Sequence, residues 1–155
     1  MILQKGMVMI EDSNALFNEI CRLNGWKRTV QRREVFTYLN GNLEHPSVET
    51  VWKHVRERLP DVSLDSIYRI LNDFAEAGII KCLKDAKVMR YDPNTQPHDH
   101  FFCSECGRIY DFSYLHPDKV ISICEEFGRV TSVDLHVRGV CRDCNAKLHP
   151  QCAVG

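Results

Sequence analysis

Apolar residues recur at helical spacing in four successive stretches of the first half of the chain. Residues 13–24 read as a helix, with Ser13 as N-cap, Leu16, Ile20 and Leu23 as the inward stripe and Gly25 as the stop. Thr29 caps a second helix that runs to Asn40, with Val30, Phe36 and Leu39 inward and Gly41 ending it. Ser47 opens a third, carrying Val48, Val51, Trp52, Val55 and Leu59 before Pro60 closes it. Ser63 opens a fourth, with Leu64, Ile67, Ile70, Leu71 and Phe74 inward and Gly78 at its end. Residues 79–84 and 87–92 then read as two short strands around an Asp85-Ala86 turn. Helices followed by a hairpin give the layout of a winged helix-turn-helix, with the fourth helix as the reading element and the hairpin as the wing.

The pattern changes after Asp92. Residues 93–97 are polar and bracketed by Pro93 and Pro97, which predicts a hinge linker. A strand over 98–102, a Cys-x-x-Cys turn, a strand over 108–112 and a helix with Pro117 in its first turn follow, with Gly128 past the helix end. A last strand over 129–138 alternates Val133, Leu135 and Val137 with polar residues, a second Cys-x-x-Cys ends the fold, and residues 149–155 form a frayed tail. The expected class is α+β, divided into 1–92, a linker at 93–97, and 98–155.

Composition narrows the class. The 155 residues are 44% hydrophobic and 26% charged, a globular balance, and no apolar run is long enough to span a bilayer. The first ten residues lack the pattern of a signal peptide, which predicts a cytoplasmic protein in which disulfides are rare. Eight cysteines then call for metal. Cys103, Cys106, Cys141 and Cys144 form two Cys-x-x-Cys pairs, the donor set of a closed tetrahedral Zn2+ site. A catalytic dithiol needs one such pair, not two. Cys21, Cys82 and Cys124 fall in apolar patterns and read as core residues, while Cys152 has no neighbour at ligand spacing.

Net charge is only −1, and the two parts differ little in net charge, with 14 basic and 13 acidic residues in 1–92 and 6 and 8 in 93–155. The exception is local: Arg22, Lys27, Arg28, Arg32 and Arg33 fall in one twelve-residue run free of acidic residues. Such a run fits either a solvated helix face or a surface for nucleic-acid phosphates.

His98 and His100 are two apart, so a strand turns both imidazoles to one face and Asp99 to the other. Asp92, Asp111 and His45 are the candidate companions, whereas His54, His116, His136 and His149 read as surface residues. Mixed nitrogen and oxygen donors suit Fe2+ or Mn2+ better than the thiophilic metals.

Taken together, Gln31-Arg32-Arg33, Glu44-His45-Pro46-Ser47, Ser66-Ile67-Tyr68-Arg69, the run from His98 to Cys103 and the two Cys-x-x-Cys pairs resemble the ferric uptake regulator family, from about Arg22 to Cys144. The resemblance implies a homodimeric repressor of double-stranded operator DNA, with an N-terminal winged helix and a small C-terminal α/β dimerisation domain. It implies structural Zn2+ on the four cysteines and regulatory Fe2+ or Mn2+ on His45, Asp92, His98, His100 and Asp111. Aspartate at both 92 and 111 resembles the peroxide-responsive branch, in which a ligand histidine, here His45 or His98, is oxidised; iron-sensing members commonly carry glutamate there. A third site found in some iron-sensing members loses its histidines here to Pro97 and Val133, leaving Asp99 and Asp118, and is not expected. Zinc-sensing members usually place a cysteine in the sensory set, and none is present.

DNA contacts are expected from Ser66, from Tyr68 and Arg69 in the major groove, and from Lys27, Arg32 and Arg33 on phosphate or in the minor groove. The protein is not expected to be an enzyme, since self-oxidation is not turnover. The competing readings are an iron-sensing repressor of iron uptake and a metal-dependent hydrolase on the His/Asp set, for which no catalytic motif is present.

Overall fold

The structure is a computed structural model that describes residues 13–84, 86–113, 117–131, 133 and 135–148. The chain divides into two compact units, residues 1–95 and 96–155.

The first unit is helical. Its elements are α1 (Ser13–Leu23), α2 (Val30–Leu39), α3 (Val48–Arg58) and α4 (Leu64–Glu76), then strands β1 (Lys81–Leu83) and β2 (Arg90–Asp92). Three of the predicted caps form as the residue types require. Thr29, Ser47 and Ser63 sit in extended backbone, and their hydroxyls accept from the amides of Arg32, Thr50 and Ser66. The core gathers Phe17, Val35, Val51, Val55, Ile67, Leu71, Phe74 and Tyr91, all essentially inaccessible. Phe36 lies edge-on to Phe74 with ring centroids 6.4 Å apart, and Phe17 packs on Phe36 at 5.5 Å.

Three expected core positions prove exposed. Leu23, Val30 and Leu64 are 53%, 58% and 41% accessible. Each lies in the terminal turn of its helix. In α1 the Phe17 ring sets the buried face to Phe17, Ile20 and Cys21, so the stripe is turned relative to the predicted one. The strands are also shorter than expected, because only Lys81↔Asp92, Cys82↔Tyr91 and Leu83↔Arg90 pair. Asp85 of the predicted turn lies outside the described residues.

The second unit is a three-stranded sheet ordered β4-β3-β5, from β3 (Asp99–Cys103), β4 (Ile109–Phe112) and β5 (His136–Gly139). β4 runs antiparallel to β3 and β5 parallel to it. Helix α5 (Pro117–Cys124) continues into a 3-10 turn, Glu125–Phe127, ahead of Gly128. β5 is much shorter than the predicted 129–138 strand, with residues 132 and 134 outside the described set. Gly139 is required by close approach, since a Cβ there would lie 3.1 Å from the Phe101 ring. The chain does not end its fold at the second cysteine pair: α6 (Arg142–Leu148) starts inside it. Among the described residues, the buried apolar side chains of this unit reduce to Phe102, Ile109, Cys103 and Cys141. So small a core needs a further crosslink to stay folded. The expected tail, with His149 and Cys152, and His116 lie outside the described residues.

Candidate metal centres and nucleic-acid face

The two cysteine pairs meet because parallel pairing carries β5 alongside β3. Cys103 pairs in register with Gly139, and Cys141 follows two residues later. The first turn closes through the Gly107 amide on the Cys103 carbonyl, 3.0 Å, with Gly107 at φ +70. All four sulfurs lie within 4.8 Å of one another, and those of Cys106 and Cys141 are 3.8 Å apart. A Zn–S bond of about 2.3 Å places tetrahedral sulfurs about 3.8 Å apart, so the spacing fits that ion.

The electrostatics of the four thiols agree. The Cys103 thiol is pulled down to about 6, first by the Cys106 amide and then by the Cys141 amide, whose N–H lies 3.3 Å from the sulfur. The Cys144 thiol is pushed up to about 12, chiefly by its hydrogen bond to Cys141. Part of the cluster is thus prepared as thiolate, and a dication is what allows the rest to ionise.

The second donor group in this unit lies at the other end of β3. The rings of His98 and His100 are 4.5 Å apart on one face of the strand, as their spacing predicts. His100 faces Asp111 across the β3–β4 ladder. The Nε2 atoms of His98 and His100 lie 3.5 and 3.6 Å from the same Asp111 oxygen. Donors about 2.1 Å from a shared ion lie roughly 3–3.5 Å apart, so these three suit a common metal. His98 Nδ1 lies 2.8 Å from the Gln96 carbonyl, a contact that sets Nδ1 as the protonated nitrogen and presents Nε2 as the ligand atom. Asp99 turns the opposite way, accepting from the Leu135 amide at 2.9 Å, and so guides the chain into β5.

The first unit holds a matching pair. His45 and Asp92 are both buried, with His45 Nε2 3.8 Å from an Asp92 oxygen. Their neighbours fix them: Ser47 bridges to Arg90, and the Tyr91 amide donates to the Pro46 carbonyl at 3.0 Å. His45 is at φ +50, the one positive φ outside glycine among the described residues. A strained backbone held in place by β2 is a mark of a functional position.

The proposed DNA-contact residues differ in freedom. Tyr68 is 41% accessible, and Arg69 pairs with Asp65 at 3.1 Å with both side chains largely in solvent. The Ser66 hydroxyl lies 2.8 Å from that of Ser63, at the α4 cap. Arg33 donates to Asn14 at 2.6 Å and lies over Phe17. Arg32 is the most committed to the fold. It pairs with Asp73, donates to the Lys27 carbonyl at 3.0 Å and covers the Trp26 ring at 4.8 Å. Arg32→Ala is therefore expected to lower stability by about 1.5–3 kcal/mol, the range of a charge-assisted hydrogen bond. Lys27→Ala, whose side chain is exposed, should leave the midpoint of thermal unfolding unchanged. Equal midpoints for the two variants would refute the structural role of Arg32.

Residues the sequence did not single out also border these centres. Arg108 donates to the Tyr110 hydroxyl at 3.1 Å and to Asp143 at 2.9 Å. His136, taken for a surface residue, is exposed but packs edge-on against His100, with centroids 5.9 Å apart. Only the sheet register brings these positions together, so no local pattern could have announced them.

A winged-helix unit joined to a sheet unit with a sulfur cluster and an imidazole–carboxylate cluster defines a metal-dependent transcription regulator. Residues 23–138 match the ferric uptake regulator family, and the chain belongs to that family. It is 32% identical over 126 residues to the peroxide-responsive repressor PerR of Staphylococcus epidermidis, covering 79% of this chain and 84% of that protein. It is likewise 32% identical over 133 residues to the peroxide operon regulator of Bacillus subtilis, covering 83% and 91%. Among solved structures, the Helicobacter pylori ferric uptake regulator, which has three functional metal-binding sites, superposes with a TM-score of 0.78 at 26% identity, covering 91% of this chain and 97% of that one. The iron-containing Francisella tularensis regulator gives 0.71 at 28%, covering 78% and 96%. No helix among the described residues is long and apolar enough to cross a membrane.

Proposed function

We propose that this protein is a homodimeric, metal-dependent repressor that binds operator DNA and senses hydrogen peroxide through oxidation of one of its own histidines. The carrying observation is the donor set: the Nε2 atoms of His98 and His100 converge on a single Asp111 oxygen, with no thiol in the cluster among the described residues. In this reading His45 and Asp92 complete a five-donor Fe2+ or Mn2+ site, and Cys103, Cys106, Cys141 and Cys144 hold structural Zn2+. Residues 1–92 bind DNA, 93–97 act as hinge and 98–155 dimerise. Exposed Ile123 and Phe127, 66% and 81% accessible, supply apolar surface for a second copy.

The chain's own residues account for the switch. Ligands contributed by both units favour whichever arrangement lets all of them reach one ion, and a dimer so arranged presents its two α4 helices to two half-sites. Fe2+ held by these residues would mediate the reduction of peroxide, with the histidine ring as the net two-electron donor. The net change is histidine plus H2O2 to 2-oxo-histidine plus water, at His45 or His98. An oxidised ring is a poorer ligand, and the repressor leaves DNA. Nothing in this cycle regenerates the histidine, so the protein is a sensor and not an enzyme. Similarity to two peroxide regulators supports this reading over iron sensing, as does aspartate at both 92 and 111.

The test is anaerobic loading with Fe2+ or Mn2+, addition of H2O2, a DNA mobility shift and mass spectrometry. Fe2+ protein should lose its DNA and gain about 16 Da on His45 or His98, and Mn2+ protein should do neither. Fe2+ protein that keeps both its DNA and unmodified histidines would favour the iron-sensing reading. On the DNA side, Tyr68→Ala or Arg69→Ala should weaken operator binding by roughly tenfold or more, the scale of one lost base contact, with both metals retained. Unchanged affinity in both would remove α4 as the reading helix.

A further inference from the structure

Helix α4 is poorly suited to hold a polyanion by charge alone. Over Leu64–Glu76 it carries Asp65, Asp73 and Glu76 against a single base, Arg69. Attraction to phosphate must come from elsewhere on the first unit, and what α4 can add on DNA is discrimination among bases. Its residues Ile67, Ile70, Leu71 and Phe74 are buried, while Asp65, Tyr68 and Arg69 are exposed. Asp73 is taken up by Arg32 of α2. Asp65 instead meets the basic residue of the reading face itself. Its carboxylate lies 3.1 Å from Arg69 Nε, one helical turn on, with both side chains largely in solvent.

Resting on the reading of α4 as the helix that enters the groove, we infer that Asp65 is a specificity-determining residue, which holds Arg69 for a guanine and accepts from the amino group of a neighbouring base. The chemistry follows from the atoms. A guanidinium has five donors, and contact through Nε, the nitrogen next to the stem, leaves its outer end for guanine O6 and N7. A fork already held in place gives up less freedom when it binds. The carboxylate is acceptor-only. In the major groove it can take a hydrogen bond from cytosine N4 or adenine N6, and it is repelled by guanine and thymine, which offer only acceptors there. It also repels phosphate, and so weakens binding wherever the right bases are missing. As an exposed pair one turn apart, Asp65 and Arg69 contribute little to folding, so the acid can be removed with the helix intact.

The experiment uses the full-length chain loaded with Zn2+ and Mn2+, without peroxide and at one salt concentration. A random-sequence duplex library is selected on the wild type. The recovered site, its single-base variants and a scrambled duplex are then titrated with wild type, Asp65→Ala and Asp65→Asn. Wild type should prefer guanine at one position of each half-site by roughly tenfold or more, the scale of one bidentate base contact. Asp65→Ala should lose most of that preference and bind the scrambled duplex more tightly than wild type does. Asp65→Asn, which keeps the shape and removes the charge, should move both quantities in the same direction. In an Arg69→Ala background, Asp65→Ala should change the guanine preference no further, since the two residues act as one unit. All variants should keep both metals and the wild-type unfolding midpoint. Unchanged base preference in Asp65→Ala and Asp65→Asn would overturn the role of Asp65 and leave α4 as the reading helix. Equal weakening on the selected and scrambled duplexes would also overturn it, by showing that Asp65 only supports the helix. A wild type that selects no sequence would remove the DNA reading and this inference together.

Discussion

Cys141→Ser is expected to reduce zinc from one ion per chain to none and to abolish cooperative unfolding of the second unit. The reason is the poverty of that unit's core: Phe102 and Ile109 are its only large buried apolar side chains among the described residues. The sulfur cluster ties the end of β3 to the start of α6, and structural zinc contributes about 10–16 kcal/mol of apparent binding energy in small domains. That exceeds what two side chains of burial provide. The first unit has its own core, from Phe17 to Tyr91, and should keep its helical signal. Metal analysis by plasma emission together with calorimetry would decide the point. A variant with full zinc content and an unchanged second transition would sink the assignment.

The second large effect is expected at the other end of the sheet. Asp111→Glu should retain metal-dependent DNA binding and lose most of the response to peroxide. An Asp111 oxygen already lies 3.5 and 3.6 Å from the two histidine nitrogens. One more methylene lets the carboxylate reach further round an ion and occupy the position at which peroxide must bind. Fe2+-loaded wild type and variant, exposed to equal H2O2, would be compared for 2-oxo-histidine and for DNA release. A variant as sensitive as wild type would show that carboxylate length is not what exposes the metal, whatever the signal sensed.

Much of this was legible in the sequence because the informative features are local. Thr29, Ser47 and Ser63 cap their helices through amides three residues on, and a two-residue spacing is enough to put His98 and His100 on one face. The two cysteine pairs announce each other by type and spacing alone. What stayed hidden depends on tertiary direction. The buried face of α1 is chosen by Phe17 meeting Phe36, so Leu23 is left outside. The structural tie of Arg32 could not be read locally, because its partner Asp73 is far away in the chain and comes close only when α2 packs on α4. Cys103 and Cys141 meet only through the β3–β5 pairing, and α6 is a short helix whose start is masked by the cysteine spacing.

Strand β3 carries donors for two different metals. His100 and Cys103 are three residues apart on it, roughly 10 Å at the rise of an extended chain. On the proposed ligand assignments, that proximity predicts an order of loading. A newly made chain meets many divalent ions at once, and the thiolate end of the strand takes zinc in preference to the others. Filling that end fixes β3 and its register with β4, so His100 and Asp111 are already opposed when the second ion arrives. The later ion then finds its ligands arranged, and less of its binding energy goes into ordering them. By linkage each ion strengthens retention of the other. On the proposed metal assignments, chains depleted of zinc are expected to need more iron or manganese before they act.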